Sequence, residues 1–424
     1  MVLPVLATYA INLPSANASL IGVALGIYGI TQAVLQIPFG IWSDKIGRKP
    51  VIYLGLSLFA LGAVIAANAT SIWWIIVGRA LQGSGAISAA VMALVSDLTN
   101  DENRTKAMAI IGSCIGLSFA VSLVLGPIIA NWFGLSGIFW LTSILALSGM
   151  LILAYIIPNK KPSSDLDADI NPNSFINVLL NVELLRLNLG IFVLHAVLMA
   201  TFLVIPLVLI NEINLDKNHH WQIYLATLIT GFAAMLPIML YGEKKRQLKL
   251  SFVIAIVILL SGELFFYFFH YDILQILFAM FLFFMAFNLL EAMLPSLISK
   301  ISPAGSKGTA MGVYATCQFL GTALGGIGAG FILQKLGINA VIIFCLCLVG
   351  AWLIIAAFML EPPYVTSIKI VLSKNNEPNL ALHTALNLTG VRDAIIADDL
   401  QSLYIKYDNK VIKIEDIRYA INKF

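Results

Sequence analysis

The sequence predicts an all-α membrane protein of twelve spanning helices in two six-helix halves, followed by a small soluble α+β domain. Three observations predict it. Of the 424 residues, 60% are hydrophobic and only 11% charged, against roughly a quarter charged in a soluble globular chain. Apolar runs of 18 or more residues recur along most of the chain, each long enough to cross a hydrocarbon core of roughly 30 Å as a helix. After Pro362 and Pro363 the composition turns abruptly to that of a soluble domain.

Breaks in charge and turn residues put the spans at about 1–12, 19–42, 50–68, 71–96, 104–130, 137–157, 186–211, 220–242, 248–269, 272–299, 306–334 and 338–360. The first is expected to be incomplete: 13 residues precede the breaker Pro14, against the roughly 20 a span needs. The start lacks the basic region of a cleaved signal peptide. Fourteen loop lysines and arginines, from Lys45 to Lys307, fall on one side of the spans, and only Lys217 and Lys335 on the other. By the positive-inside rule both termini and the tail are expected in the cytoplasm, with the chain multi-pass in the cell (inner or plasma) membrane.

The two halves repeat. A shift of 203 residues brings Ala107, Met108, Cys114, Leu117, Ala120, Ile129 and Gly134 onto Ala310, Met311, Cys317, Leu320, Ala323, Ile332 and Gly337. A shift of 199 puts Pro38 on Pro237, Asp44 on Glu243 and Lys45 on Lys244. The expected divisions are 1–157 and 183–361 for the halves, 158–182 for a polar linker and 364–424 for the soluble domain. In the linker Asp165, Asp167 and Asp169 alternate like a calcium loop. Ile170 and Ile176 stand where such a loop needs Gly and Glu, so calcium is excluded. Ser174 is expected to cap an amphipathic helix running through Phe175, Val178, Leu179 and Val182. The four cysteines lie in apolar runs without metal or disulfide spacing and read as packing residues. In the tail, helix–strand alternation predicts a sheet with one helical layer.

The most specific signal is the charged turn at 40–49: Gly40, Asp44, then Gly47, Arg48 and Lys49, between two apolar spans. This turn resembles the loop that the major facilitator superfamily of transporters carries between its second and third helices. Arg79 to Gly83 likewise matches its Arg-x-x-Gln-Gly pattern. Trp42 stands where the superfamily usually has an aliphatic residue. Leu388 to Val391 with Tyr407 and Asp408 resembles heavy-metal-associated ferredoxin-like domains, although Ser373 to Pro378 lacks the thiols of their metal loop. No metal is expected. Over essentially its whole length the chain resembles the YajR type of the superfamily, with an appended ferredoxin-like tail.

The resemblance implies a fold with substrate bound between the halves near the midplane. It implies that Asp44, Arg48 and Asp97 form a charge relay, with Gly40 and Gly47 permitting the turn, which latches the halves while the cavity opens outward. Asp44 would then lie near Ser302 and Pro303, and Arg48 would face Asp97. A positive-inside loop with incidental acids is the plainer alternative. The superfamily's antiporter signature is matched in full only by Gly126 and Pro127; together with Gly321 and Gly325 these also suit close helix packing.

Proton coupling requires a titratable group within the membrane, where isolated charges are costly. Glu291 is the first candidate. His195 is the second, or else a satisfied packing residue, and Arg79 either tunes an acid or bonds carbonyls. Their depths differ enough that Arg79 and Glu291 are not expected to pair. Glu263, on an outer scaffold span, is expected to reach the interface. Tyr28, Gln32, Gln36, Gln82, Asn288 and Gln318 are candidate cavity residues. The expected function is a proton-coupled secondary transporter, an efflux antiporter of small organic compounds working by rocker-switch alternating access. An importer or facilitator, for instance of sugars, or a transporter-like sensor using the tail are the alternatives. The expected partners are substrate, protons and the lipid bilayer, with no nucleic acid, no cofactor and a monomeric state. No nucleophile–base pair or phosphate loop points to an enzyme. The incomplete first span leads to the expectation of poor transport.

Overall fold

The computed structural model describes residues 2–99, 101–158, 172–303, 306–372, 377–396 and 402–422. The acidic stretch 165–169 therefore lies outside the described residues. Apolar composition makes helices, and polar caps and glycines end them. α1 (Leu3–Tyr9) passes through a 3-10 turn into α2 (Ala18–Ile46), which starts where the Asn17 side chain accepts from the Leu20 N–H at 2.9 Å. α3 (Arg48–Ala67) follows directly. The expected fourth span is interrupted: α4 (Ile72–Ser84) and α5 (Ser88–Leu98) meet at Gly85, which packs against the backbone of Gly55.

α6 (Asp101–Tyr155) contains two spans joined at Gly134, whose φ of +65° breaks the helix. Its repeat counterpart Gly337 has φ +82° and separates α12 (Lys307–Leu336) from α13 (Ile338–Ala357). Both ψ values lie near 180°, at −170° and −175°. The same left-handed corner, which only glycine adopts freely, thus recurs at the positions that the 203-residue shift equates. Between them lie α7 (Pro172–Leu180), α8 (Val182–Asn211), α9 (His220–Lys244), α10 (Leu248–Phe268) and α11 (Ile273–Ile301). α7 begins at Pro172, before Ser174, so Ser174 is not its cap. It does not run on into α8 either, because Asn181 caps α8 by accepting from the Glu183 and Leu184 N–H groups. Val178, fully buried, anchors α7 to the core.

The tail is β1 (Thr366–Val371), α14 (Pro378–Leu386), β2 (Val391–Ile396), β3 (Ser402–Tyr407) and α15 (Ile414–Asn422), an antiparallel sheet in the order β1-β3-β2. This is the expected ferredoxin-like arrangement, with three strands among the described residues. Leu403, Ile405 and Tyr407 on β3 pack with Ile370, Ala381, Ala385, Ile417 and Ile421 beneath the helices. The alternate residues Ser402 and Lys406 are buried as well, because that face of the sheet is turned to the helical body. Lys406 Nζ donates to the carbonyls of Ser299 and Lys300 at 3.2 and 3.1 Å, and to that of Ser302. It thereby satisfies acceptors that the end of α11 leaves open. Arg246 clasps Asp408 through two bonds of 2.8 and 2.7 Å, and Tyr364 accepts from the Leu248 N–H at 2.9 Å.

Candidate functional site

Two arrangements stand out, one at the lysine- and arginine-rich end of the bundle and one inside it. At the basic end Gly47, with φ +101°, turns α2 directly into α3. Arg48 in the first turn of α3 is pulled inward, its side chain 7% exposed. Its Nε donates to Asp97 Oδ2 at 3.0 Å, its Nη1 donates to Ser43 Oγ at 2.8 Å, and it ion-pairs with Asp44. Ser43 Oγ in turn donates to the Gly40 carbonyl at 2.7 Å.

Asp97 lies near the C-terminus of α5, where the helix dipole disfavours an acid, and the guanidinium compensates it. The predicted members of the relay thus come together, joined by Ser43, which the motif did not single out. The contact predicted from Asp44 to the Ser302–Pro303 corner is not made in this state. Among the described residues Asp44 bonds Arg48, and the corner is held by Lys406.

Inside the bundle, α2 and α4 present Arg79 with its guanidinium 4.4 Å over the Tyr28 ring. Arg79 also donates to Gln82 Oε1 at 3.0 Å and to the Ala24 carbonyl at 3.4 Å. Gln32 donates to Gln36 at 3.4 Å while its own carbonyl oxygen lacks a partner among the described residues. Opposite, α11 carries Asn288 and Glu291, three residues apart and so on one face; α12 carries Tyr314 and Gln318, four apart, likewise. Gln318 Nε2 and His195 Nε2 are 2.8 Å apart, and the His195 ring lies 6.0 Å from that of Phe287. Glu291 Oε2, Asn288 Nδ2 and Tyr314 OH are all buried and without a hydrogen-bond partner among the described residues. Such orphaned groups are uncommon in folded proteins and costly unless something occupies them.

Aromatic pairs bridge the two sides of this region. Tyr28 meets Phe319 edge-on at 6.4 Å, and Phe119 stacks on Phe287 at 5.9 Å. Beyond them, away from the basic end, α2 and α12 close on each other through backbone. A Cβ at Gly330 would lie 2.7 Å from Gly22 Cα, and one at Gly26 would lie 2.7 Å from the Ala323 carbonyl. Ser19 N–H donates to Gln334 Oε1 at 2.9 Å. Gly325 meets the backbone of Ala196, with a Cβ 2.7 Å from its Cα, and Gly321 meets Phe192 similarly, so α12 is also pressed onto α8. Gly126 and Pro127 are buried in α6. Toward the basic end, by contrast, Gly112, Gly116 and Gly312 face open space, and Ile115 and Leu117 are 59% and 67% exposed. The seam of α2 with α12 thus closes the end away from the basic loops, while Gly112, Gly116 and Gly312 have no neighbour within 4 Å toward the basic end.

One expectation is corrected. Glu263 does not reach the interface; it is 3% exposed and accepts from Thr201 Oγ1 of α8 at 3.1 Å. It belongs to the inward stripe of α10 formed by Phe252, Ile256, Leu259 and Phe266, whose three- and four-residue spacing was readable in the sequence. Among the described residues no group of three or more metal-ligating side chains comes together.

Comparison with known proteins follows the same lines. The sequence model of the Major Facilitator Superfamily matches residues 1–326 and again 187–387. The Inner membrane transport protein YajR of Escherichia coli (strain K12) is 47% identical over 425 residues, covering 100% of this chain and 93% of that protein. The class E tetracycline resistance protein of Escherichia coli is 33% identical over 114 residues, 27% of each chain. The crystal structure of the nucleoside transporter NupG superposes with a TM-score of 0.65 at 16% identity, over 84% of this chain and 94% of that one, a likeness of fold.

Proposed function

This chain belongs to the Major Facilitator Superfamily of membrane transporters, and we propose that it is a proton-driven exporter of small organic compounds. The carrying observation is the buried, unpartnered trio of Glu291, Asn288 and Tyr314 beside a cleft that the seam of α2 with α12 closes at one end. An isolated carboxyl group within a span reads as a functional group by default. Glu291 is then the group that takes up and releases the proton as the cleft alternates between its two sides.

With the basic end cytoplasmic, as the loop charges support, the present state is inward-open. Substrate enters from the cytoplasm, the proton leaves Glu291, and Asn288, Gln318 and His195 offer hydrogen bonds to the substrate. Arg79, braced on Tyr28, supplies positive charge from the other half. Rocking then opens the far end, where a new proton displaces substrate. Export rather than import is favoured by the resemblance to a tetracycline-resistance protein over 27% of the chain and by the partial antiporter signature at Gly126 and Pro127.

The test is flux in proteoliposomes with an imposed pH gradient and tetracycline as probe. Substrate movement against the proton gradient supports antiport, and Glu291→Gln should abolish the gradient-driven component while leaving exchange of substrate for substrate. Movement with the proton gradient would make the protein an importer. Absence of flux combined with signalling that depends on the tail would make it a sensor.

A further inference from the structure

α2 and α12 pair in antiparallel register at the closed end: Gly22 with Gly330, Gly26 with Gly326 and Gly29 with Ala323. Carried along both helices, that register brings residue 44 level with residue 308, since each pair advances one chain as it retreats along the other. Asp44 bonds only to Arg48 among the described residues, with its side chain 32% exposed. When the cleft closes at the basic end, Asp44 is the acid that arrives at the start of α12.

What awaits it there is more than a helix end. Lys307 opens α12, and Lys406 of the tail lies close enough to it for their charges to interact. The three carbonyls around Lys406 Nζ satisfy its donors without cancelling its charge. Asp393, directly across the sheet from Lys406, is an acid that acts on it. Nearby Lys300 has Glu243, and Arg246 has Asp408. Lys307 and Lys406 repel each other at this corner. An arriving carboxylate relieves that repulsion.

We propose that the tail supplies half of the acceptor for the inter-half latch: Lys406, clamped onto the end of α11, joins Lys307 in a two-lysine seat that Asp44 occupies when the basic end closes. The ferredoxin-like domain thereby acts on the equilibrium between the open and closed cleft without touching substrate. The proposal rests on the alternating-access reading above.

The experiment uses the full chain in membranes, with Cys114, Cys317, Cys345 and Cys347 replaced and cysteines introduced by Ser19→Cys and Gln334→Cys, positions bonded across the closed end. Oxidative cross-linking of that pair reports closure there and needs neither substrate nor protons. Asp44→Asn should raise the cross-linking rate by about two- to fivefold, the range of a modest ion pair. Lys406→Met and Lys307→Met should each shift it in the same direction, Lys406→Arg should not, and neither Met variant should add to Asp44→Asn.

Lys307→Met leaves the tail's own contacts in place, so its shift cannot come from misfolding of that domain. Lys406→Met and Lys307→Met without effect beside an active Asp44→Asn would overturn the proposal, as would full additivity. An inert Asp44→Asn would instead remove the latch reading on which the proposal stands.

Discussion

The guanidinium of Arg48 bonds Asp97 across 49 residues of sequence at 3.0 Å while also holding Ser43 and Asp44. One side chain therefore ties the last turns of α2 and α5 to the first turn of α3. The pair is mostly buried, 7% and 14% exposed, so removing Asp97 leaves the guanidinium to Asp44 and Ser43 in a place that water reaches poorly.

Asp97→Asn is accordingly expected to destabilise the first half by about 1.5–3 kcal/mol, the range for losing a hydrogen bond to a charged group while Asp44 still compensates Arg48. Thermal unfolding of the detergent-solubilised protein checks it. A variant with an unchanged midpoint would mean that water or a neighbour takes over from the carboxylate.

At the shut end the relevant neighbour is backbone. Gly26→Val places side-chain atoms where the Ala323 carbonyl and the side chain of Ile327 already stand. Overlap of that kind cannot be relieved by a rotamer change. The Ser19–Gln334 cysteine pair should then cross-link at least about tenfold more slowly, corresponding to roughly 1.4 kcal/mol against closure. Equal rates would show that α2 and α12 do not need to touch there.

Glu263 and Glu291 are both buried carboxyls, yet they call for opposite outcomes. Glu263→Gln keeps an acceptor for Thr201 and should leave flux and its pH dependence unchanged. Glu263→Ala loses that bond and opens a void, costing about 2–4 kcal/mol. Measuring gradient-driven flux and thermal stability on both variants separates a structural acid from a proton carrier.

Tail docking carries its own pH signature. The Arg246 guanidinium, bonded to both carboxylate oxygens, holds Asp408 below the usual aspartate range, and the Lys410 N–H adds to this. A lowered value means that the ionised form is favoured when docked. The contact therefore contributes fully above the ordinary aspartate pKa of about 4 and is lost as pH falls through the depressed value. Protease accessibility of the segment around Tyr364 should stay constant from neutral pH down to that range and rise below it. Arg246→Met should raise it at every pH.

Much of this was legible in the sequence. Charge-free runs and their breaks located the spans, and the glycines at 134 and 337 announced a corner that the structure repeats. The resemblance of the 40–49 turn to the superfamily's loop implied the cluster of Asp44, Arg48 and Asp97. What escaped is physically of one kind: contacts whose partners are set by the approach of distant backbones. Nothing local distinguishes Gly22 or Gly330 from any small residue in a span until α2 and α12 are in register. Tyr28 under Arg79 needed the crossing of α2 and α4. Lys406 looked like an ordinary strand lysine because its acceptors lie more than 100 residues earlier in the chain. Glu263 shares its three- and four-residue spacing with Phe252, Ile256, Leu259 and Phe266, but only the packing of α10 on α8 shows that this face, and not the opposite one, is turned inward.

The glycine seam between α2 and α12 also decides how the energy of switching is divided. Backbone lying on backbone has almost no interlocking relief, so parting it disrupts few specific side-chain contacts and requires little repacking. An interface so smooth contributes little preference of its own for either arrangement. The balance is then left to a small number of charges at the far end of the same two helices. Under the proposed latch, ionic strength, which screens those charges and leaves the seam untouched, becomes a throttle on the resting position of the machine.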